Sequence, residues 1–86
     1  LVFVRAADNY LELHFADRMT MRRQTLASAE HELTALGFVR IHRSILAHPK
    51  HFAVASIGGK PHAIAGNGQA LPFGSRYRDS IRHFVP

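Results

Sequence analysis

Residues 38–48, FVRIHRSILAH, decide how this chain folds. Successive side chains of a strand point to opposite faces. As one continuous strand, the segment sends Val39 and Ile41 to one face and Arg40 and His42 to the other. The same count puts Arg43 on the apolar face, between Ile41 and Ile45. A one-residue slip turns every side chain over. Either an arginine points into the core, or the strand breaks at His42-Arg43-Ser44.

Working outward, most flanking segments predict short strands. Residues 1–5, LVFVR, are rich in β-formers, and Asp8-Asn9 is a turn signal. Residues 10–15 alternate Leu11, Leu13 and Phe15 against Tyr10, Glu12 and His14, the period-two pattern of a strand. Asp17-Arg18 predicts a hairpin tip, followed by a strand to about Arg23. Residues 25–36 change period: Leu26, Ala29, Leu33 and Leu36 share one helical face. Thr25 is placed to cap the start of that helix and Gly37 to stop it. The free N–H groups at its N-terminus form a potential phosphate seat, although an ordinary capped helix has the same pattern. Residues 52–57 and 62–64 predict strands around Gly58-Gly59. Residues 66–68, Gly-Asn-Gly, form a second turn before a strand over residues 70–73. Residues 75–84 predict a final helix, with Tyr77, Ile81 and Phe84 on one face. The expected architecture is mostly β, an arrangement of short antiparallel sheets with two short helices.

The bulk properties narrow the function. A chain of 86 residues predicts one domain with a modest core. There is no cysteine, hence no disulfide or thiolate metal site, which fits a reducing compartment. No apolar run approaches the roughly 20 residues of a membrane helix, and no secretory pattern opens the chain. Leu1 in place of a methionine suggests a piece of something longer. Lysine and arginine total 11 against 6 acidic residues, and only Lys50 and Lys60 are lysines. Arginine suits bidentate contacts to phosphates and guanine edges. A basic balance also fits an anionic membrane surface or an acidic partner.

The sequence offers three kinds of candidate site. The seven histidines, among them His42, His48 and His51, lack cysteine partners, an HExxH motif or clustered carboxylates, so metal binding is not expected. Ser44 with His42 could form a nucleophile and base, but no strand-to-helix elbow or third orienting group accompanies them; no enzyme is expected. Gly58-Gly59-Lys60 is half a phosphate loop and better explained as a hairpin turn. The third kind is the set of arginine-bearing turns, His42-Arg43-Ser44 and Ser75-Arg76-Tyr77-Arg78, together with Asp8-Asn9. Arginine and asparagine are the side chains that read guanine and adenine in the major groove. Hydroxyls and helix ends can hold phosphates meanwhile.

Taken together, the chain resembles the LytTR DNA-binding domain of bacterial transcription regulators of the LytR/AlgR response-regulator type. The likeness rests on LVFVRAADNYLEL at the start, Thr25-Leu26 opening the helix, FVRIHRS, and PFGSRY over residues 72–77, in this order across nearly the whole chain. The resemblance implies an elongated domain of antiparallel sheets that binds specific double-stranded DNA through loops in the major groove, on repeated sites occupied by two protomers. It implies base contacts from Asn9, Arg43 and Arg76, and phosphate contacts from Thr25, Ser44 and Arg78. It implies no cofactor, no metal and no membrane contact by this domain. A cytoplasmic two-component system, with a receiver or other sensor domain N-terminal to residues 1–86, follows from the same likeness. The family's first strand pair would precede Leu1. Three departures stand out: Gly74 replaces a usual serine, Ser75 a frequent arginine, and Ala47-His48-Pro49 a usual Val-Asn-Leu. On this reading the strand stops at His42, Arg43 leaves the sheet, and His42 braces the loop. The alternative is a basic RNA-binding or protein-interaction module, which exposed aromatics on a sheet face would favour.

Overall fold

The computed structural model describes residues 1–78. Eight strands and one helix follow in order: β1 (Phe3–Ala7), β2 (Tyr10–His14), β3 (Met19–Arg22), α1 (Leu26–Ala35), β4 (Val39–His42), β5 (Ile45–Ala47), β6 (Phe52–Ile57), β7 (Lys60–Ala65) and β8 (Ala70–Pro72). Two antiparallel sheets result, one ordered β3-β2-β1-β5-β4 and one ordered β6-β7-β8. A 3-10 turn, Pro49–His51, carries the chain from the first sheet to the second. The principal extents are 34 × 25 × 22 Å.

The puzzle of residues 38–48 resolves as a hairpin. β4 ends at His42, Arg43 and Ser44 form the turn, and β5 starts at Ile45. The register shifts between Arg40 and His42, so one residue is inserted opposite β5, as a bulge inserts one. Ile41 and Ile45 then both enter the core, while Arg43 stays outside.

The middle of the five-stranded sheet is covered on both faces, while its edge strand β3 is exposed. On one, Val4, Leu11 and Leu46 pack against Leu26 and Ala29 of α1. On the other, Phe3, Ile41, Ile45 and Ala47 meet Ala63, Ala65 and Leu71 of the small sheet and Phe73 beyond it. Alternation along β1 and β5 serves the two layers in turn. This second layer explains a departure from the expected pattern in β2. His14, on the polar side of the alternation, is only 5 % exposed and stacks on Phe3 with ring centroids 4.2 Å apart.

The α1 boundaries match their sequence signals. Thr25 Oγ1 accepts from the Ser28 N–H at 3.1 Å. At the other end, the Phe38 N–H donates to Leu33 O and the Gly37 N–H to Thr34 O, each at 3.0 Å, the paired bonds of a Schellman stop. Leu36, expected on the buried face, is instead the capping residue and lies 67 % exposed. Of the expected second helix, residues 75–78 form a 3-10 turn; the rest of it, with Ile81 and Phe84, lies outside the described residues.

Gly37 holds its place for two reasons. Its φ of +95° is left-handed, and a Cβ there would lie 2.9 Å from His48 Nε2. His48 is fixed by its own bonds, Nε2 donating to Leu36 O at 3.2 Å and Nδ1 accepting from the Lys50 N–H at 3.1 Å. Gly37→Ala should therefore destabilise the domain by more than about 1 kcal/mol. Urea unfolding of the two proteins measures this; equal midpoints would show that the stop tolerates a side chain.

Candidate nucleic-acid interface

Strand register alone brings the expected site residues to one end of the five-stranded sheet. β1 ends at Ala7, paired with the first residue of β2, Tyr10, so Asp8-Asn9 closes that end. β3 runs antiparallel to β2 with Leu11 opposite Arg22, so Arg22, Arg23 and Thr25 follow at the same end. β5 starts there too: Arg5 lies opposite Ile45, and the Ala6 N–H donates to Ser44 O at 2.8 Å. The Arg43-Ser44 tip is therefore beside the Asp8-Asn9 turn. The chain returns to this end after β8, where the Gly74 N–H donates to Ile41 O at 2.8 Å.

Two open clefts gather these residues. One, of about 580 Å³, is lined by His42, Arg43, Gly74, Ser75, Arg76 and Tyr77. The other, of about 310 Å³, is lined by Asn9, Arg23, Gln24 and Thr25. Arg43 and Arg76 thus share the first cleft, and Asn9 and Thr25 share the second. Asn9, Thr25, Arg43, Arg76 and Arg78 are all exposed, whereas Ser44 is half-buried. Arg23 and Gln24 carried no motif and were missed. The basic pair Arg22-Arg23 just ahead of the helix cap was the available signal.

The arginines divide into two groups. Arg5 pairs with Glu12, Arg18 with Asp17 and Arg40 with Glu30. Arg22, Arg23, Arg43, Arg76 and Arg78 have no acidic partner among the described residues, and all of them belong to the turns and strand end just described. Helix α1, LASAEHELTA, contains glutamates and no lysine or arginine. The positive field is therefore carried by the loops rather than the helix.

The turns themselves are braced. The Ser44 N–H donates to His42 Nδ1 at 3.2 Å, which leaves that nitrogen an acceptor, and the Ser44 hydroxyl donates to it at 2.9 Å. His42 thus holds the hairpin tip closed. No carboxylate orients its ring among the described residues, so the arrangement lacks the third member of a catalytic triad. Asp8 opens the neighbouring turn at φ 55°, a left-handed position that aspartate visits more readily than most residues. At Gly74, a Cβ would sit 3.1 Å from the Tyr77 ring and 3.4 Å from His42 Cα. Having no Cβ, Gly74 leaves this space to the Tyr77 ring.

A second network ties the sheets together behind the interface. Arg5 donates to Glu12 Oε1 at 3.1 Å and to Gln69 Oε1 at 3.4 Å. The Gln69 amide nitrogen is then left to donate to His14 Nδ1 at 3.2 Å, and His14 Nε2 donates to Glu12 Oε1 at 2.9 Å. The hydrogen bond from His14, aided by Arg5, holds the Glu12 carboxyl below its ordinary value. The hydrogen bond from Arg40 does the same for Glu30.

Comparison with known proteins adds the following. The family model for the LytTr DNA-binding domain matches residues 1–85. A solved LytTr DNA-binding domain of a methyl-accepting/DNA response regulator from Bacillus cereus superposes with a TM-score of 0.79 at 20% identity, covering 96% of this chain and 78% of the other. At that identity it shows the fold. No curated protein matches the sequence. Among the described residues, no helix is long and apolar enough to cross a membrane.

Glu12 and Glu30 give stability an acid limb. Both carboxyls titrate below their ordinary value in the folded state. Their contribution is therefore fully present above the unfolded-state range and is lost as pH falls through the lower, folded-state range. Unfolding midpoints measured from about pH 7 down to about pH 3 should stay level at first and then fall. Glu12→Gln should lower the plateau and shallow the fall; an unchanged acid limb in that variant would place the pH dependence elsewhere.

Proposed function

The chain belongs to the LytTr DNA-binding domain family, and from that premise we propose that it reads specific double-stranded DNA with its loops in the major groove, as the output domain of a bacterial transcription regulator. The observation that carries this reading is that the arginines without an acidic partner among the described residues gather at one end of the sheet, beside Asn9 and the Thr25 cap of α1. Arg43 and Arg76 project bidentate donors toward guanine O6 and N7, and Asn9 offers donor and acceptor to adenine N6 and N7. These are separate clefts within a molecule whose longest extent is 34 Å. Asn9, Arg43 and Arg76 therefore fall within the roughly 34–36 Å that separates major-groove faces one helical turn apart.

Phosphates are held around these readers. Arg78 lies in the same turn as Arg76, and Arg22 and Arg23 flank Asn9, so each supplies charge beside a base-reading group. Thr25 Oγ1 already accepts from Ser28, and its hydroxyl proton remains to donate to a phosphate. Ser44 contacts a phosphate only by releasing its proton from His42. The partner is a repeated site bound by two protomers, in the cytoplasm, with a receiver or other sensor domain N-terminal to this one.

The RNA alternative loses support from burial. A stacking sheet needs exposed aromatics. Phe3, Phe38 and Phe73 are buried, and Phe15 and Phe52 are half-buried, Phe15 beneath the Arg18 guanidinium at 4.3 Å; Tyr10, at the turn end of β2, is the one exposed aromatic among the described residues, and a stacking face needs several.

The proposal is tested on a bound sequence selected from a random duplex pool. With about five phosphates neutralised, log K should fall against log salt with a slope near −4 to −5; affinity independent of salt would indicate a protein partner. Arg43→Ala and Arg76→Ala should each cost about 1–3 kcal/mol on the selected site and relax specificity at one base pair. Arg78→Ala should weaken all duplexes alike and reduce the salt slope by about one. Because Arg43 is exposed and outside the core, its alanine variant should keep its unfolding midpoint. Uniform weakening by Arg43→Ala and Arg76→Ala would move recognition to Asn9 or to DNA shape.

A further inference from the structure

Arg40 stands one bulge away from the reading turn, yet its side chain does not face DNA. It runs back toward α1, where Nε meets Glu30 Oε2 at 3.1 Å and Nη2 meets Glu30 Oε1 at 2.7 Å. The remaining nitrogen, Nη1, donates to the backbone carbonyl of Arg43 at 2.5 Å. Every guanidinium nitrogen is thus used, and the Arg40 side chain is only 21% exposed.

We infer that Arg40 is a positioning residue for sequence reading: anchored on Glu30, it fixes the Arg43 peptide and so the direction in which the Arg43 side chain leaves the hairpin. The inference rests on the DNA-reading role proposed above and adds a residue to it. The geometry supports it on three counts. A two-residue tip has few internal bonds to hold its peptide planes, and the Arg43 carbonyl points where a fork can reach it. The anchor is on the helix, so the tip is referenced to a second layer of the fold rather than to its own strand. A base-reading guanidinium must also arrive within a few tenths of an ångström and a few degrees, which requires supports that are themselves locked. Lysine cannot replace this arrangement, because an ammonium lacks the planar fork that spans two carboxylate oxygens and a carbonyl together.

The test uses Arg40→Lys, which keeps the charge, and Glu30→Gln, which keeps the shape of the anchor. Both are assayed on the duplex selected by the wild-type domain and on that duplex with each base pair changed in turn. Discrimination at the base pair lost in Arg43→Ala should fall about tenfold in Arg40→Lys, while discrimination elsewhere is retained. Affinity for unrelated duplex should stay within about twofold, because the phosphate-facing charge is unaltered. In an Arg43→Ala background, Arg40→Lys should have no further effect on selectivity, the signature of two residues acting as a unit. Equal weakening on every duplex, or effects of Arg40→Lys and Arg43→Ala that add in full, would reduce Arg40 to a staple between helix and sheet and overturn the inference. Should Arg40→Lys fail to fold, Glu30→Gln decides by the same criteria. A wild-type domain that enriches no sequence from the pool overturns the DNA-reading role itself, and that outcome is visible before any variant is made.

Discussion

Everything at the interface depends on β5 having no exposed face. Ile45, Leu46 and Ala47 are each at most 2% exposed, because the small sheet covers one side and α1 the other. A strand buried on both faces cannot carry a charge, since desolvating an unpaired guanidinium costs far more than one hairpin contributes. The arginine before it must therefore lie in the turn. The same burial fixes the register of β5 against β1 and β4, because a slip would bury Arg43 or expose Ile45. A firm register sets where the tip emerges, and that in turn sets where Asn9 and Arg76 can meet it.

Much of this was legible from local pattern. The helix boundaries followed from Thr25 and Gly37, and the hairpins followed from Asp8-Asn9, Gly58-Gly59 and the Gly-Asn-Gly turn. What was not legible depended on partners far along the chain. The burial of His14 required Phe3 stacked on it and Gln69 arriving from 55 residues away, and no period within β2 encodes that. Leu36 fitted the helical face but falls where the helix closes its backbone, so the cap outweighed the hydrophobic stripe. Arg23 and Gln24 share a cleft with Asn9 only because β3 pairs beside β2, a relation invisible to a motif. The pairing of Arg40 with Glu30 was hidden for the same reason, as the two lie on different elements.

The acidic residues are used sparingly and in places that sharpen the field. The net charge is +5, but its placement matters more than its size. Glu12 and Glu30 neutralise Arg5 and Arg40 behind the interface, so the arginines without an acidic partner among the described residues are those of the turns and the end of β3. A guanidinium already bonded to a carboxylate has little to offer a phosphate or a base; one held only by its backbone has all of its donors available. The division between paired and unpaired arginines is thus a division of labour between holding the loops and presenting them.

Under the proposed function, the loops take the part that a recognition helix plays in other DNA-binding folds. A helix is rigid by its own hydrogen bonds, so any side chain on it is already oriented. A loop lacks that ladder and pays an ordering cost on binding unless its backbone is pinned beforehand. In this chain the pins are specific: His42 to Ser44, Ala6 to the Ser44 carbonyl, Gly74 to the Ile41 carbonyl, and Arg40 to the Arg43 carbonyl. Each uses a backbone group that hairpin pairing leaves free, and none uses the guanidinium of Arg43 or Arg76. The sheet supplies the stiffness while the reading groups remain unspent, and α1, with its glutamates, serves the sheet as a cover and an anchor.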